Sequence, residues 1–524
     1  MGTVSAPEGA GDAPRSQQAS LLALVFCSGV AVMGLEMSAS RLIAPYFGTT
    51  LSVWTSLIGL VMIFLTLGYY LGGALADRSP SRTTLGLLVL GAGLITLVLP
   101  LASGRVLRAA WSLTPTAGLL PASLLGTASL FAVPTVMLGC VCPFAMKLSI
   151  HDLGLTGRAS GRVYAVSALG SVVGTFLPAL VTIPILGVRR SIMVFGGLLV
   201  AAALPMLARA RFLPAAGALA LLAFPLPPVL PTRGAVAERE SPYNYLRVIQ
   251  AGPARLLIVD WSAFSAYEPG EFRTGQYYDY LLLAPLLRPR PPAAWLERVL
   301  IVGLGAGTSA QQITQAYGPL EIDGVEIDPA IVDFGRRYFD MDEPNLKVHV
   351  TDGRAFLAGV RDRYDWAVLD AYQGSDIPFH LVTAEFFQEL RARMQEGGVL
   401  AINLAWWRPG QEELLRRLAA SVRIAFPRVY AITGISEASG AVLLAGGADA
   451  SPRNLRAAAA ALGHPAVLEI AEEALSPGPP TITALAARDA PLTDDRAPVE
   501  QIADAMYRQL RREAHARERQ VLAE

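Results

Sequence analysis

From Leu21 to Leu230 charged residues are sparse and apolar runs are long, whereas the rest of the chain has the charge density of a water-soluble domain. A helix needs about 20 apolar residues to cross the hydrocarbon core of a bilayer. Candidate spans fall at roughly 20–43, 51–75, 84–103, 118–147, 163–187, 191–208 and 212–230. That makes seven, with an eighth if the long fourth segment breaks near Pro134. The first half therefore reads as an all-α transmembrane bundle over 20–230, after a tail of 1–19 and before a proline-rich, then charged, linker at 231–240. No cleavable signal is evident, because the first apolar run lacks a strongly basic start and a small-residue cleavage site.

Charge distribution bounds the partners. Lys+Arg and Asp+Glu are both 43, so the chain makes no electrostatic case for nucleic acid. Arg78, Arg82, Lys147, Arg158, Arg162, Arg209 and Arg211 lie in the even-numbered loops, and Arg105, Arg108, Arg189 and Arg190 in the odd ones. That bias favours a cytoplasmic amino end. With seven spans it would put the second half of the chain outside. The ligand logic developed below points instead to a cytoplasmic catalytic domain in a plasma (inner) membrane protein. Glu36 and Arg41 are costly at mid-depth, about 2.5–3.5 kcal/mol for a charged residue on insertion scales, and a pairing between them or with another helix is the simplest expectation. The three cysteines, Cys27, Cys140 and Cys142, sit in apolar segments, and Cys140-x-Cys142 has no second pair or clustered histidines, so no metal site is expected.

The second half carries the chemistry. Residues 241–295 read as a small β region, with strands at Asn244–Ile249 and Arg255–Asp260. From 296 to 524 strand and helix patterns alternate as in a doubly wound, Rossmann-like α/β unit, closed by a charged amphipathic helix from about Pro498 to Glu518. The apolar run Val299–Val302 ends in Gly303-x-Gly305-x-Gly307, and a helical segment follows. A second short strand closes on Glu326, and two more end at Asp352 and Asp370. This order suits a nucleoside lying across the carboxyl ends of a parallel sheet. The glycines admit close backbone approach, and an acid after the second strand can chelate ribose hydroxyls.

These motifs resemble the spermidine synthase (polyamine aminopropyltransferase) family, in the bacterial form with an N-terminal transmembrane region. The resemblance covers roughly 241–505. It rests on Glu240-Ser-Pro-Tyr-Asn244, Tyr277-Tyr-Asp279 (where the family usually has Tyr-His-Glu), the glycine loop, Val325-Glu-Ile-Asp328, Asp352-Gly-Arg354 and Asp370-Ala-Tyr-Gln-Gly-Ser-Asp-Ile-Pro378. It implies transfer of the aminopropyl group of decarboxylated S-adenosylmethionine to a putrescine-like amine, with release of methylthioadenosine, no prosthetic group and no metal. A homodimer is also plausible on the resemblance. By position, Gly303, Gly305, Gly307, Glu326, Asp352 and Gly353 would bind the cosubstrate. Asp370 would be the catalytic carboxylate, with Tyr277 and Tyr372 beside it. Tyr243, Tyr278, Asp279, Gln373 and Asp376 would line the amine channel. His380, near a helix, is expected to anchor a loop.

Two positions depart from the pattern. Ala306 stands where the family's glycine loop carries an Asp facing the amino end of the donor's propyl arm, and Gln373 stands where a second loop acid is usual. Loss of the first removes an attraction for the decarboxylated donor and a barrier to intact S-adenosylmethionine, so arm transfer or cleavage from the intact donor is a further expectation. Two rivals remain: a methyltransferase using S-adenosylmethionine, and a non-catalytic nucleoside-binding membrane transporter or sensor.

Overall fold

The computed structural model describes residues 15–48, 51–113, 119–150, 156–207, 232, 234–260, 262–371, 378–404, 412–435, 440–486, 489–499 and 502. The chain divides into two compact units, Met1–Pro231 and Thr232–Glu524.

The first unit is helical: α1 (Arg15–Phe47), α2 (Leu51–Arg78), α3 (Arg82–Trp111), α4 (Leu119–Gly139), α5 (Val141–Ser149), α6 (Thr156–Leu177), a π-helical turn (Pro178–Thr182), α7 (Ile183–Leu186) and α8 (Val188–Ala203). Six segments among the described residues are long and apolar enough to cross a membrane. The seventh candidate, 212–230, lies outside the described residues. The fourth segment is interrupted at Cys140 and not at Pro134, which is accommodated inside α4. The physical reason is Pro143, which has no N–H to donate to the Gly139 carbonyl four residues back; at the break a Cβ on Gly139 would lie 2.8 Å from the Leu65 carbonyl oxygen and 2.9 Å from Gly68 Cα. Small residues let two backbones touch in this way.

Packing fixes the helix directions. A Cβ on Gly170 or Gly174 would fall 2.2 Å from the carbonyl oxygens of Phe26 and Val30, so α1 and α6 run side by side in the same sense. Arg82 donates to Gln17 Oε1 at 2.9 Å, and Lys147 pairs with Asp77 at 2.7 Å. The start of α1 therefore shares a face with the α2–α3 connection. Six long apolar segments bring the chain, at Met206, back to the face on which α1 began. Glu36 is buried, and its Oε2 has no hydrogen-bond partner among the described residues.

The second unit opens with an antiparallel sheet in the order β1 (Ala235–Glu240), β2 (Tyr245–Ala251), β3 (Ala254–Val259), β4 (Ser262–Tyr267). Strand β1 occupies residues expected to be linker. Its charged Glu238, Arg239 and Glu240 hide the strand pattern and suit an exposed edge. There follow α9 (Tyr277–Leu281), β5 (Arg298–Val302), α10 (Thr308–Tyr317), β6 (Glu321–Glu326), α11 (Pro329–Tyr338), β7 (Leu346–Val350) and α12 (Gly353–Gly359). Then come β8 (Tyr364–Leu369), α13 (Ala384–Ala392), β9 (Met394–Leu404), α14 (Glu413–Arg423), β10 (Arg428–Thr433), β11 (Ala441–Gly446), α15 (Leu455–Leu462), α16 (Pro465–Leu475) and β12 (Thr481–Ala484). Most of the expected C-terminal helix, Pro498 to Glu518, lies outside the described residues.

The large sheet runs β12-β10-β11-β9-β8-β5-β6-β7. Strands β7, β6, β5, β8 and β9 are parallel, and β11, β10 and β12 add antiparallel. Side chains alternate across it as the period of two requires. Val299 and Ile301 join the core under α10, α15 and α16, while Leu300 and Val302 join the one under α12, α13 and α14. The chain leaves β5 toward β6 on one side and returns to β8 on the other. The carboxyl ends of β5 and β8 thus form the switch point where doubly wound sheets bind ligands.

Candidate active site

The loop after β5 is built so that two backbones meet. Gly303 has φ +89°, and a Cβ there would lie 2.3 Å from the Asp370 carbonyl oxygen, which no side chain allows. The Asp370 N–H donates to the Val302 carbonyl at 2.8 Å, closing β8 onto β5. Gly305 and Gly307 also have positive φ, +58° and +97°, and Gly307 leads directly into α10. The N–H groups of the turn are used internally: Gly303 and Leu304 donate to the Val325 carbonyl, Gly305 to Glu326, Ala306 to Ser265 and Gly307 to the Leu304 carbonyl.

Glu326 closes β6 and is tied to this loop. Its Oε2 accepts the Gly305 N–H at 3.0 Å and its Oε1 the Asp328 N–H at 3.0 Å. Burial pushes its pKa up to about 7, against the pull of those backbone donors. Ile327, the next residue, is 40% exposed. An apolar side chain left open beside a buried acid suits a flat heterocycle next to its sugar. Asp352 caps α12, its Oδ1 accepting the N–H groups of Arg354 (3.0 Å) and Ala355 (2.9 Å), while Oδ2 meets His380 Nε2 at 3.0 Å. Burial opposes ionisation there, but the Ala355 N–H, His380 and the Arg354 N–H outweigh it and hold Asp352 below the usual carboxylate range. Gly353 packs on β5, where a Cβ would lie 2.4 Å from Val302 Cγ1.

Asp370 is the centre of the other half. Its Oδ2 accepts from the Tyr277 hydroxyl at 3.0 Å, and its Oδ1 from Asn403 Nδ2 at 2.7 Å. Burial raises its pKa to about 7; the Asn403 and Tyr277 donors pull it down, and Glu326 is near enough to push it up. Burial and the neighbouring Asp370 charge push the Tyr277 hydroxyl well above its ordinary value, so it stays a donor. A carboxyl that titrates near neutrality, held between two donors, is suited to taking a proton at working pH.

Not every expected residue meets the site in the expected way. Tyr278 stacks on Tyr277 with ring centroids 4.0 Å apart, but its hydroxyl donates to the Phe264 carbonyl, so it braces Tyr277 and does not offer a free hydroxyl to an amine. Asp279 is fully buried and accepts from the Thr274 N–H and hydroxyl, the Gly275 N–H and Gln312 Nε2, all within 3.0 Å. Those bonds occupy the carboxylate in shaping the 272–279 turn. The Tyr243 loop is fastened to the large domain through Ser241 and Asn244, which donate to Asp328 Oδ2 at 2.5 and 3.1 Å. Tyr372, Gln373 and Asp376 lie outside the described residues. Ala306 is buried, with its methyl in the cluster of Leu246, Val248, Ile331, Phe334 and Phe339 beneath the small sheet, and its N–H donates to Ser265 Oγ at 2.9 Å.

Asn403 was not expected. It ends an apolar run, Val399-Leu-Ala-Ile-Asn-Leu404, and an amide at the carboxyl end of a buried parallel strand next to β8 is the signal that could have found it. Ser265, which holds the glycine loop from β4, had no such signal. Among the described residues no group of three or more His, Cys, Asp or Glu could hold a metal ion.

Comparison with known proteins gives the same frame. Residues 292–437 match the spermine/spermidine synthase domain. The matched residues lie in the second unit. The chain is 38% identical over 192 residues to a "Probable polyamine aminopropyl transferase" of Bifidobacterium longum, covering 36% of this chain and 42% of that protein. It is 32% identical over 179 residues to a polyamine aminopropyltransferase of Vibrio vulnificus, covering 32% of this chain and 58% of that one. In both cases less than two thirds of the relative is spanned. The crystal structure of a probable spermidine synthase from Corynebacterium glutamicum matches with a TM-score of 0.36 at 19% identity, over 42% of this chain and 81% of that one.

Proposed function

We propose that the second unit transfers the aminopropyl arm of decarboxylated S-adenosylmethionine to a putrescine-like amine. The observation that carries this reading is the buried Asp370, held between Tyr277 and Asn403 and within electrostatic reach of Glu326. The nucleoside lies across the glycine loop, with Glu326 on the ribose hydroxyls, Ile327 against the base and Asp352 toward the adenine amino group. The amine sits beside Asp370 and Tyr277. Its nitrogen lone pair attacks the propyl carbon bound to the sulfonium. The carbon–sulfur bond breaks, its electron pair returns to sulfur, and neutral methylthioadenosine leaves. The new ammonium gives its proton to Asp370. Fixing the two reactants in line supplies several kcal/mol, and the base a further ~10²–10⁴-fold.

A second reading, arm transfer or cleavage from intact S-adenosylmethionine, rests on the sequence, which has Ala306 where the resembling family carries an Asp; the Ala306 methyl itself packs in the core beneath the small sheet. The membrane unit anchors the enzyme in a plasma membrane. Arg78, Arg82, Lys147, Arg158 and Arg162 share the face on which α1 begins and Met206 ends, against Arg105, Arg108, Arg189 and Arg190 opposite. The positive-inside rule then puts that face in the cytoplasm. The seven-span conflict does not arise for the six described crossings.

Asp370→Asn tests the catalytic assignment. Turnover should fall ~10²–10⁴-fold while methylthioadenosine still binds, measured by calorimetry on the full chain. Unchanged turnover would remove Asp370 from the mechanism and favour a nucleoside sensor.

A further inference from the structure

We infer that Asp494, on the segment after β12, is a positioning residue for the nucleoside: through Arg354 and the turn that carries His380 it sets the orientation of Asp352. The inference rests on the proposed placing of adenine at Asp352 and goes beyond it in naming what holds that acid.

Residues 489–496 form no strand or helix, only the isolated bridge between Thr493 and Arg496. Segments of this kind ordinarily run loosely over a surface. This one is tied down along its length. Asp489 Oδ2 accepts from Arg416 Nε at 3.0 Å. Leu492 is fully buried in the core under α12, α13 and α14. Its N–H donates to Ser421 Oγ at 2.8 Å, and its carbonyl accepts the Ala384 N–H at 2.8 Å. The Asp494 N–H donates to Glu385 Oε2 at 3.1 Å.

The Asp494 side chain receives a forked pair of bonds. Its Oδ1 and Oδ2 accept from Arg354 Nη1 and Nη2, both at 2.8 Å, and Oδ1 also accepts from the Thr383 hydroxyl at 2.7 Å. Two parallel bonds fix direction as well as distance. Those Arg354 bonds hold the Asp494 carboxyl below the usual carboxylate range. Arg354 is itself held by Glu389 Oε1 and Oε2, at 2.6 and 2.9 Å, and its Nη1 donates onward to the His380 carbonyl at 3.2 Å. Single exposed ion pairs contribute little, but bidentate pairs within a network are the exception.

These contacts converge on Asp352. Arg354 is the second residue of α12, the helix that Asp352 caps through Oδ1. Asp352 Oδ2 meets His380 Nε2 at 3.0 Å, and His380 stands in the single 3₁₀ turn Phe379–Leu381. A lone turn has few bonds of its own to fix it. Arg354 holds this one at the His380 carbonyl, and Asp494 holds Thr383 just beyond it. The Thr383 hydroxyl also caps α13, accepting the Phe386 N–H at 3.3 Å. Loss of Asp494 frees Thr383 and one side of Arg354 together, and His380 and Asp352 then lose their fixed relation. A recognition group is held in its productive geometry by the contacts that lock it from behind.

The test compares two nucleosides on the purified full chain by calorimetry. Methylthioadenosine has the 6-amino donor that Asp352 would accept; methylthioinosine has a carbonyl oxygen there instead. A site built around a hydrogen bond to an N–H discriminates strongly against the analogue that lacks it. In Asp494→Ala, methylthioadenosine binding should weaken about tenfold or more, the scale of one hydrogen bond to a charged group, while methylthioinosine binding stays as in wild type. The donor KM should rise with kcat at saturating donor retained, the mark of lost binding rather than lost chemistry. Asp494→Asn, which keeps one acceptor for Arg354, should lie between. Asp489→Ala, which cuts another fastening of the same segment, should change the binding of neither nucleoside. Arg354→Lys keeps the charge and loses the fork; it should show the same selective loss, and it reads the same link if Asp494→Ala does not fold. Equal weakening of both nucleosides, or a fall in kcat with KM unchanged, overturns the positioning role and leaves Asp494 a tie that only stabilises the fold. Wild-type discrimination that persists in full in Asp494→Ala overturns that role as well. Wild type that binds neither nucleoside overturns the adenine site itself and the positioning role with it, so the two failures are distinguishable.

Discussion

Asn403→Leu removes one of the two donors on Asp370 while nearly preserving side-chain volume. Asn403 Nδ2 lies 2.7 Å from Asp370 Oδ1 in a buried site where the carboxyl already titrates at about 7. A hydrogen bond to a charged group contributes about 1.5–3 kcal/mol, and one pKa unit corresponds to about 1.36 kcal/mol. Losing the bond should therefore move the acid limb of kcat/KM upward by about one to two pH units. At pH 7 the ionised fraction would drop from about one half to between about 0.09 and 0.01, a loss of roughly 5- to 50-fold in rate. Most of that loss should be recovered at pH 9. The assay is methylthioadenosine release between pH 6 and 10 in wild type and variant. Deprotonation of the amine is common to both enzymes, so the difference isolates Asp370. An equal loss at every pH would mean that Asn403 only supports packing. An unmoved limb with normal activity would mean that Asp370 is not the titrating base.

Stability should also depend on pH in a sense opposite to that of a salt-bridged acid. Glu326 and Asp370 both have folded pKa values raised to about 7, so each binds its proton more tightly folded than unfolded. Their contribution is full below about pH 4 and is lost as pH rises through 7. Thermal unfolding of the ligand-free protein should occur at lower temperature at pH 8 than at pH 5, and Asp370→Asn should flatten the slope. Topology gives a further expectation. A cytoplasm-active reporter fused after Leu207 should be active and a periplasm-active one inactive, and the same pair fused after Gly234 should agree if 212–230 does not cross. Activity of the periplasmic reporter at the first point would invert the membrane unit.

The rim of the candidate site was legible because its parts obey a local rule. Parallel strands leading to Gly303, Glu326, Asp352 and Asp370 place those residues on one rim whatever the rest of the chain does. The surroundings of Asp370 were less so, because partners decide how each side chain is used there. Tyr277, Tyr278 and Asp279 are consecutive, yet one faces Asp370, one donates to a carbonyl of the small sheet and one is consumed in its own turn. Asn403 meets Asp370 through the β8–β9 pairing; local pattern marks it as an amide near the end of a buried strand but does not name its partner. Strand β1 was missed because an edge strand rich in charge loses the alternation that marks a strand. In the first unit, run length located the six long apolar segments among the described residues. The break at Cys140 was legible too, in Pro143, but was placed instead at Pro134, which α4 accommodates.

Product analysis tests the central claim most directly. The purified chain is incubated with decarboxylated S-adenosylmethionine or intact S-adenosylmethionine, each with and without putrescine, and the adenosine products are resolved by mass spectrometry. The account predicts methylthioadenosine from the decarboxylated donor together with an aminopropylated amine. Methylthioadenosine from the intact donor would transfer the case to the second reading. S-adenosylhomocysteine as the product would contradict the account and make the protein a methyltransferase.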